Sequence, residues 1–118
     1  MADIKIYHNP RCSKSRASFS LLQDKSVEFE TIEYLKNPLS YEQIKELLKM
    51  LGFKSARELM RTKEDIYKEL NLKDETDEEK LIEAMANNPK LIERPIVIKG
   101  NKAVIGRPIE NVERLLGI

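Results

Sequence analysis

Polar and apolar residues alternate along Asp3-Ile4-Lys5-Ile6-Tyr7 with the two-residue period of a β-strand, and the alternation stops at His8-Asn9-Pro10, a turn-forming group. From Ser13 the pattern changes. Ala17, Leu21 and Leu22 recur with no Gly or Pro before Pro38, which predicts a helix to about Lys25 with a serine near its start. Val27, Phe29 and Ile32, set among glutamates, predict a second strand. A strand, helix, strand unit of this kind is parallel and right-handed by default. Its first loop encloses Cys12.

After Asn37-Pro38 the pattern is helical for a long stretch. Ser40 with Gln43 forms a capping-box signature, and Ile44, Leu47, Leu48 and Leu51 share one face before Gly52 closes the helix. Ser55 with Glu58 and Thr76 with Glu79 repeat the box, Thr62 with Asp65 is a weaker version, and Leu81 and Met85 give the last helix an apolar edge before Asn87-Asn88-Pro89. Residues 40–88 therefore read as an all-helical insertion. The acidic cluster Asp74, Glu75, Asp77, Glu78, Glu79 reads as a solvated loop that favours a helix N-terminus. Next, Ile96-Val97-Ile98-Lys99 and Ala103-Val104-Ile105 flank Gly100-Asn101-Lys102, where Gly and Asn are available for positive φ, so a hairpin is expected. A helix from about Ile109 to Leu116 ends the chain. The order β, α, β, helices, β, β, α fits an α/β protein with one small mixed sheet, the order of a thioredoxin-like fold with a helical insertion.

A length of 118 residues suits a single domain spanning 1–118, and 41% hydrophobic residues supply a core without staples, although 35% of the chain is charged. Lys and Arg number 21 against 20 Asp and Glu, so no bulk field favours a polyanion, and no nucleic-acid partner is expected. The apolar runs are short, and Met-Ala-Asp-Ile-Lys lacks a basic region followed by a long apolar run, so neither a membrane span nor export is expected. A single cysteine, Cys12, excludes an internal disulfide and a multi-cysteine metal site. A cytoplasmic protein without a bound cofactor or metal fits these features.

A thiol becomes a nucleophile only as its thiolate, and its pKa of about 8.5 falls to roughly 3.5 to 7.5 beside cations or at a helix N-terminus. Cys12 has both available. His8 precedes it, Arg11 and Lys14 flank it, Arg16 follows one helical turn later, and the N–H groups of Ser13, Lys14 and Ser15 lie at the helix start. A lone cysteine is usually a small buried hydrophobe. The run His-Asn-Pro-Arg-Cys-Ser-Lys-Ser-Arg is a poor apolar wall for one. Cys12 and Ser15 form CxxS rather than CxxC, so a sulfur intermediate must be cleared by an outside thiol. The cysteine phosphatase loop needs an arginine at wider spacing, and Ser18 stands where it would be.

The stretch from Ile6 to Arg16 resembles the active-site loop of the glutaredoxin-linked arsenate reductases, the ArsC family. The resemblance continues through Arg61 in Ala56-Arg57-Glu58-Leu59-Met60-Arg61, Arg94 in Arg94-Pro95-Ile96-Val97 and Arg107 in Gly106-Arg107-Pro108, and covers essentially the whole chain. It implies that Cys12 is the nucleophile, that His8 and Ser15 tune its thiolate, that Arg61, Arg94 and Arg107 bind the oxyanion, and that the peptide before Pro95 is cis. It also implies arsenate as substrate, glutathione as co-substrate and glutaredoxin as partner. Arginine suits a tetrahedral oxyanion because its planar fork makes paired, charge-assisted hydrogen bonds and stays charged. Any single arginine is more often a surface residue with a snorkelling stem. Ser13 and Lys14 replace the Gly-Thr pair of the best-known member, and Arg11 replaces its alanine.

Two other readings share the scaffold. Spx-type regulators bind RNA polymerase and usually carry a redox CxxC, so His8 and Ser15 count against them. A glutathione-dependent thiol or disulfide reductase would use the same thiolate and basic neighbours.

Overall fold

The structure, a computed structural model, describes residues 4–117. Asp3, the first residue of the predicted alternation, lies outside the described residues. The chain divides at Asn37/Pro38 and at Glu93/Arg94 into two compact units.

The first unit holds β1 (Ile4–Tyr7), α1 (Ser13–Asp24), β2 (Phe29–Ile32), β3 (Ile96–Lys99), β4 (Lys102–Ile105) and α5 (Glu110–Leu116), the helices numbered in chain order with α2 to α4 in the second unit. Its sheet has the order β2-β1-β3-β4. β1 pairs parallel to β2, with Ile4 opposite Phe29, and antiparallel to β3, with Ile6 opposite Val97. The expected mixed sheet of a thioredoxin-like fold is present. Ile4, Ile6, Leu22, Val97 and Val112 form its buried core, with Phe19, Phe29, Val104 and Leu115 packed around them. The period-two pattern of β1 thus sends Ile4 and Ile6 to one face, and leucines on α1 and valine on α5 cover it.

The β3–β4 hairpin is tighter than its sequence suggests. Lys102 pairs with Lys99, leaving Gly100 and Asn101 as a two-residue loop. Only Gly100 takes a positive φ, 62°, as a hairpin with glycine at the first loop position requires.

The second unit contains α2 (Tyr41–Leu51), α3 (Asp65–Glu69) and α4 (Glu78–Asn87), joined by 3-10 turns at Ala56–Leu59, Leu72–Asp74 and Pro89–Leu91. Ser40 caps α2 in a full capping box with Gln43, and Gly52 ends it at φ 73°. Ser55 and Glu58 also form their box, but only a 3-10 turn follows. Two predicted caps differ. Asp77, not Thr76, caps α4 by accepting the Glu79 N–H at 3.0 Å, because Asp77 is the residue adjoining the first helical turn and its carboxylate suits that end. α3 begins after Glu64 with no side-chain cap, so Thr62 has no capping role. α4 packs on α2 and on the turns at 56–59 and 89–91. A bridge between Met60 and Ile92 extends this unit past residue 88, where the helical pattern alone ends.

Gly106, between β4 and Arg107, is required by space rather than by backbone angle. An added Cβ would lie 2.6 Å from Ser18 Oγ, 2.8 Å from Pro95 Cγ and 3.3 Å from Val112 Cγ2. Ser18 is fully buried on α1, so it cannot swing away. Gly106→Ala is expected to destabilise the fold by about 1–3 kcal/mol through overpacking, read as a lower urea midpoint. An unchanged midpoint would show that the α1–β4 contact yields freely.

Candidate active site

Cys12 occupies the N-cap of α1 in extended backbone geometry, with no side chain in full capping geometry there. The turn before it is built by Asn9. The Asn9 carbonyl accepts the Cys12 N–H at 3.0 Å, and Asn9 Oδ1 accepts the Arg11 N–H at 3.0 Å. These bonds tie the loop into a short Asx turn that sets the sulfur at the head of the helix. Arg16 N–H continues the helix to the Cys12 carbonyl at 2.9 Å, and its Nη1 donates to the Pro10 carbonyl at 3.2 Å.

His8 and Ser15 meet below this loop. His8 Nδ1 lies 2.7 Å from Ser15 Oγ, and Ser15 Oγ accepts the Asn9 N–H at 3.0 Å. Both residues are buried, and the His8 ring stacks on Phe19 with centroids 4.9 Å apart. Burial is the largest influence on His8 and lowers its pKa; Glu33 pulls upward, Arg16 pushes further down, and the net value lies below the ordinary histidine value. His8 is therefore a neutral imidazole near pH 7. The Ser15 hydroxyl is engaged by His8 and Asn9, so its effect on sulfur runs through its backbone and the loop.

Two of the three singled-out arginines reach the thiol. Arg107 Nη2 donates to Cys12 Sγ at 3.5 Å, and Arg107 Nε donates to the Arg94 carbonyl at 2.8 Å. Burial is the largest single influence on the Cys12 thiol and raises its pKa. The Ser15 N–H, the Arg94 side chain, the Lys14 N–H and the Arg94 charge together outweigh it, leaving the thiol below its ordinary value. Arg107 thus touches the sulfur, while Arg94 favours the thiolate by hydrogen bond and by charge. Cys12 is 8% exposed, but its surroundings are polar and cationic rather than apolar. Arg94 Nε is a buried donor with no hydrogen-bond partner among the described residues. The peptides Arg94-Pro95 and Arg107-Pro108 are both cis. The resemblance implied the first; nothing pointed to the second.

Arg61 belongs to the helical unit. Its N–H donates to the Leu91 carbonyl at 2.7 Å, its Nη1 bonds the Glu64 carboxylate, and its Nε stands 4.0 Å from Glu93 Oε1. The carboxylates around Arg61 were not singled out by the sequence, although Glu64 at three residues' distance is a readable helical-type pair. Asn9 could have been suspected from its place before Pro10. Nothing in the pattern marks Asn111, whose side chain bonds the Ile105 and Arg107 carbonyls. Among the described residues no group of His, Cys, Asp and Glu side chains is placed to hold a metal ion, and no helix is long and apolar enough to cross a membrane.

Comparison with known proteins adds an independent line. Residues 7–115 match the model of the ArsC family. The chain is 57% identical over 115 residues to the uncharacterized protein YfgD of Escherichia coli, covering 97% of each chain. It is 48% identical over 117 residues to an arsenate reductase of Neisseria meningitidis, covering 98% of this chain and 100% of the other. Among solved structures, the arsenate reductase from Vibrio cholerae superposes with a TM-score of 0.91 at 46% identity, over 94% of this chain and 95% of that one.

Proposed function

Since the chain belongs to the ArsC family, we propose that it reduces arsenate to arsenite through a covalent intermediate on Cys12. The observation that carries this reading is the depressed Cys12 thiol with Arg107 at its sulfur and Arg94 favouring its anion. A thiolate beside preplaced cations is the arrangement that nucleophilic attack on an oxyanion needs. The buried, unpartnered Arg94 Nε supports the same reading, because a donor removed from water gains most from an anionic acceptor.

In the proposed reaction Arg94 and Arg107 hold arsenate against Cys12, with Arg61 as the third cation. The case for Arg61 comes from the family resemblance, since its present partners are Glu64 and Glu93. The thiolate bonds to arsenic, and one arsenate oxygen leaves as water. Glutathione attacks this adduct, and glutaredoxin completes the thiol exchange. Arsenic gains an electron pair, two thiols become one disulfide, arsenite leaves, and Cys12 returns to its thiol form. Because Cys12 is the sole cysteine, those two thiols come from outside the chain. Ser15 serves through its N–H on the sulfur, and neutral His8 holds Ser15 and so the loop. The reducing cytoplasm, which supplies glutathione, is the proposed location.

The deciding assay offers arsenate and small glutathione mixed disulfides at matched enzyme concentration, with glutathione and glutaredoxin present. Arsenite formation that needs both thiol components is expected. Turnover of the mixed disulfides above that of glutathione and glutaredoxin alone, without arsenate turnover, would replace this reading with a thiol reductase on the same scaffold.

A further inference from the structure

Asn111 stands in the first turn of α5, and its side chain faces back along the chain. Its amide nitrogen donates to the Ile105 carbonyl at 3.1 Å and to the Arg107 carbonyl at 3.3 Å. Its backbone N–H donates to the Pro108 carbonyl at 3.0 Å. The two carbonyls taken by the side chain bracket Gly106, the residue packed against Ser18 and Pro95, and Gly106 N–H is itself tied to the Pro95 carbonyl at 2.8 Å.

The segment so fixed is the base from which Arg107 departs. From there the guanidinium is held at two points, by Nε on the Arg94 carbonyl and Nη2 on the Cys12 sulfur. Arg107 is an exposed residue, and a long exposed side chain keeps many rotamers unless its origin and its donors are both set. Asparagine suits the task because one nitrogen carries two donors that can serve two carbonyls, whereas the same-sized aspartate carries none.

We propose that Asn111 is a positioning residue that fixes the 105–107 backbone so that the Arg107 guanidinium is delivered to the Cys12 sulfur. The inference rests on Arg107 acting at Cys12 and is independent of which oxyanion is reduced.

The test uses the single cysteine as its own reporter. Iodoacetate and iodoacetamide both react with the thiolate, so the ratio of their alkylation rates cancels the thiolate fraction and reads positive charge at the sulfur. Asn111→Leu keeps the branched outline and the number of side-chain heavy atoms, removes both donors and adds no charge. It is expected to lower the iodoacetate-to-iodoacetamide ratio roughly threefold, Arg107→Ala to lower it at least as much, and the double variant to go no lower than Arg107→Ala. Asn111→Ser, which retains a residue favoured at helix starts, is expected to give the same drop and decides the matter if the leucine variant folds poorly. A wild-type ratio in folded Asn111 variants, with a reduced one in Arg107→Ala, would overturn the proposal alone. A further drop on adding the Asn111 change to Arg107→Ala would also overturn it, by showing an effect not routed through Arg107. A wild-type ratio in Arg107→Ala would remove both the proposal and the placement of Arg107 at the thiol.

Discussion

A Cys12→Ser variant is expected to lose arsenate turnover by at least roughly three orders of magnitude while keeping its fold. The reason lies in ionisation. Burial raises the thiol, but the Ser15 N–H, Arg94 and the Lys14 N–H hold it below its ordinary value, so at any pH more of it is thiolate than in a free cysteine, whereas a hydroxyl starts far above that range. No second cysteine exists to take over the attack. Folding should be spared because position 12 is the N-cap of α1, and serine is among the residues favoured there. Arsenite production and a urea melt of the same preparation separate the two effects. Full turnover by the variant would remove Cys12 from the chemistry and with it the covalent mechanism.

Much of the architecture was legible because it rests on local periodicity. The alternation at Ile4 and Ile6, the capping box at Ser40 with Gly52 as stop, and the valine and isoleucine run before Gly100 each dictate an element without help from distant residues. What escaped was chosen by competition at short range. Thr76 and Asp77 are both good caps, and the sequence does not say which will adjoin the first helical turn. Ser55 forms its box, yet the segment after it makes only a 3-10 turn, since a box marks a helix start and not its length.

The candidate site divides along the same line. Cys12 and the helix N–H groups lie within one loop and one turn of helix, so their meeting could be read from spacing, while the part of His8 and Ser15 came from the family resemblance. The approach of Arg94 and Arg107 to that loop is long-range: the Arg107–Cys12 contact spans most of the chain and follows only from the antiparallel pairing of β3 with β1 and of β4 with β3. Residue spacing could not have shown it; the family resemblance did. Asn111 escaped both routes, because its partners are main-chain carbonyls that any sequence would present. The carboxylates beside Arg61 show the converse risk: an arginine singled out for anion binding already holds two protein anions.

Arg94→Ala should separate catalysis from stability more sharply than any other change in the thiol loop's surroundings. We expect kcat/KM for arsenate to fall roughly 100-fold, the scale for removing one preplaced donor from an oxyanion. Stability should move by no more than about 1 kcal/mol, because truncation loses the packing of the side-chain stem but also removes Nε, a buried donor without a partner. The carbonyl that receives Arg107 Nε belongs to the backbone and survives the substitution. The sign of the pH effect follows from the thiol. Arg94 favours the thiolate by hydrogen bond and by charge, so its loss raises the Cys12 pKa, and the pH at which alkylation by iodoacetamide reaches half its maximum should move up. A depressed thiol also contributes stability that is complete above the ordinary thiol value and lost as pH falls through the folded value. The wild type should therefore gain more stability than Arg94→Ala as pH rises through that range. Urea midpoints at several pH values, alkylation profiles and arsenate kinetics on one pair of proteins test all of this. A loss of folding as large as the loss of activity, with an unmoved alkylation profile, would make Arg94 a structural residue and leave Arg107 as the sole guanidinium at the sulfur.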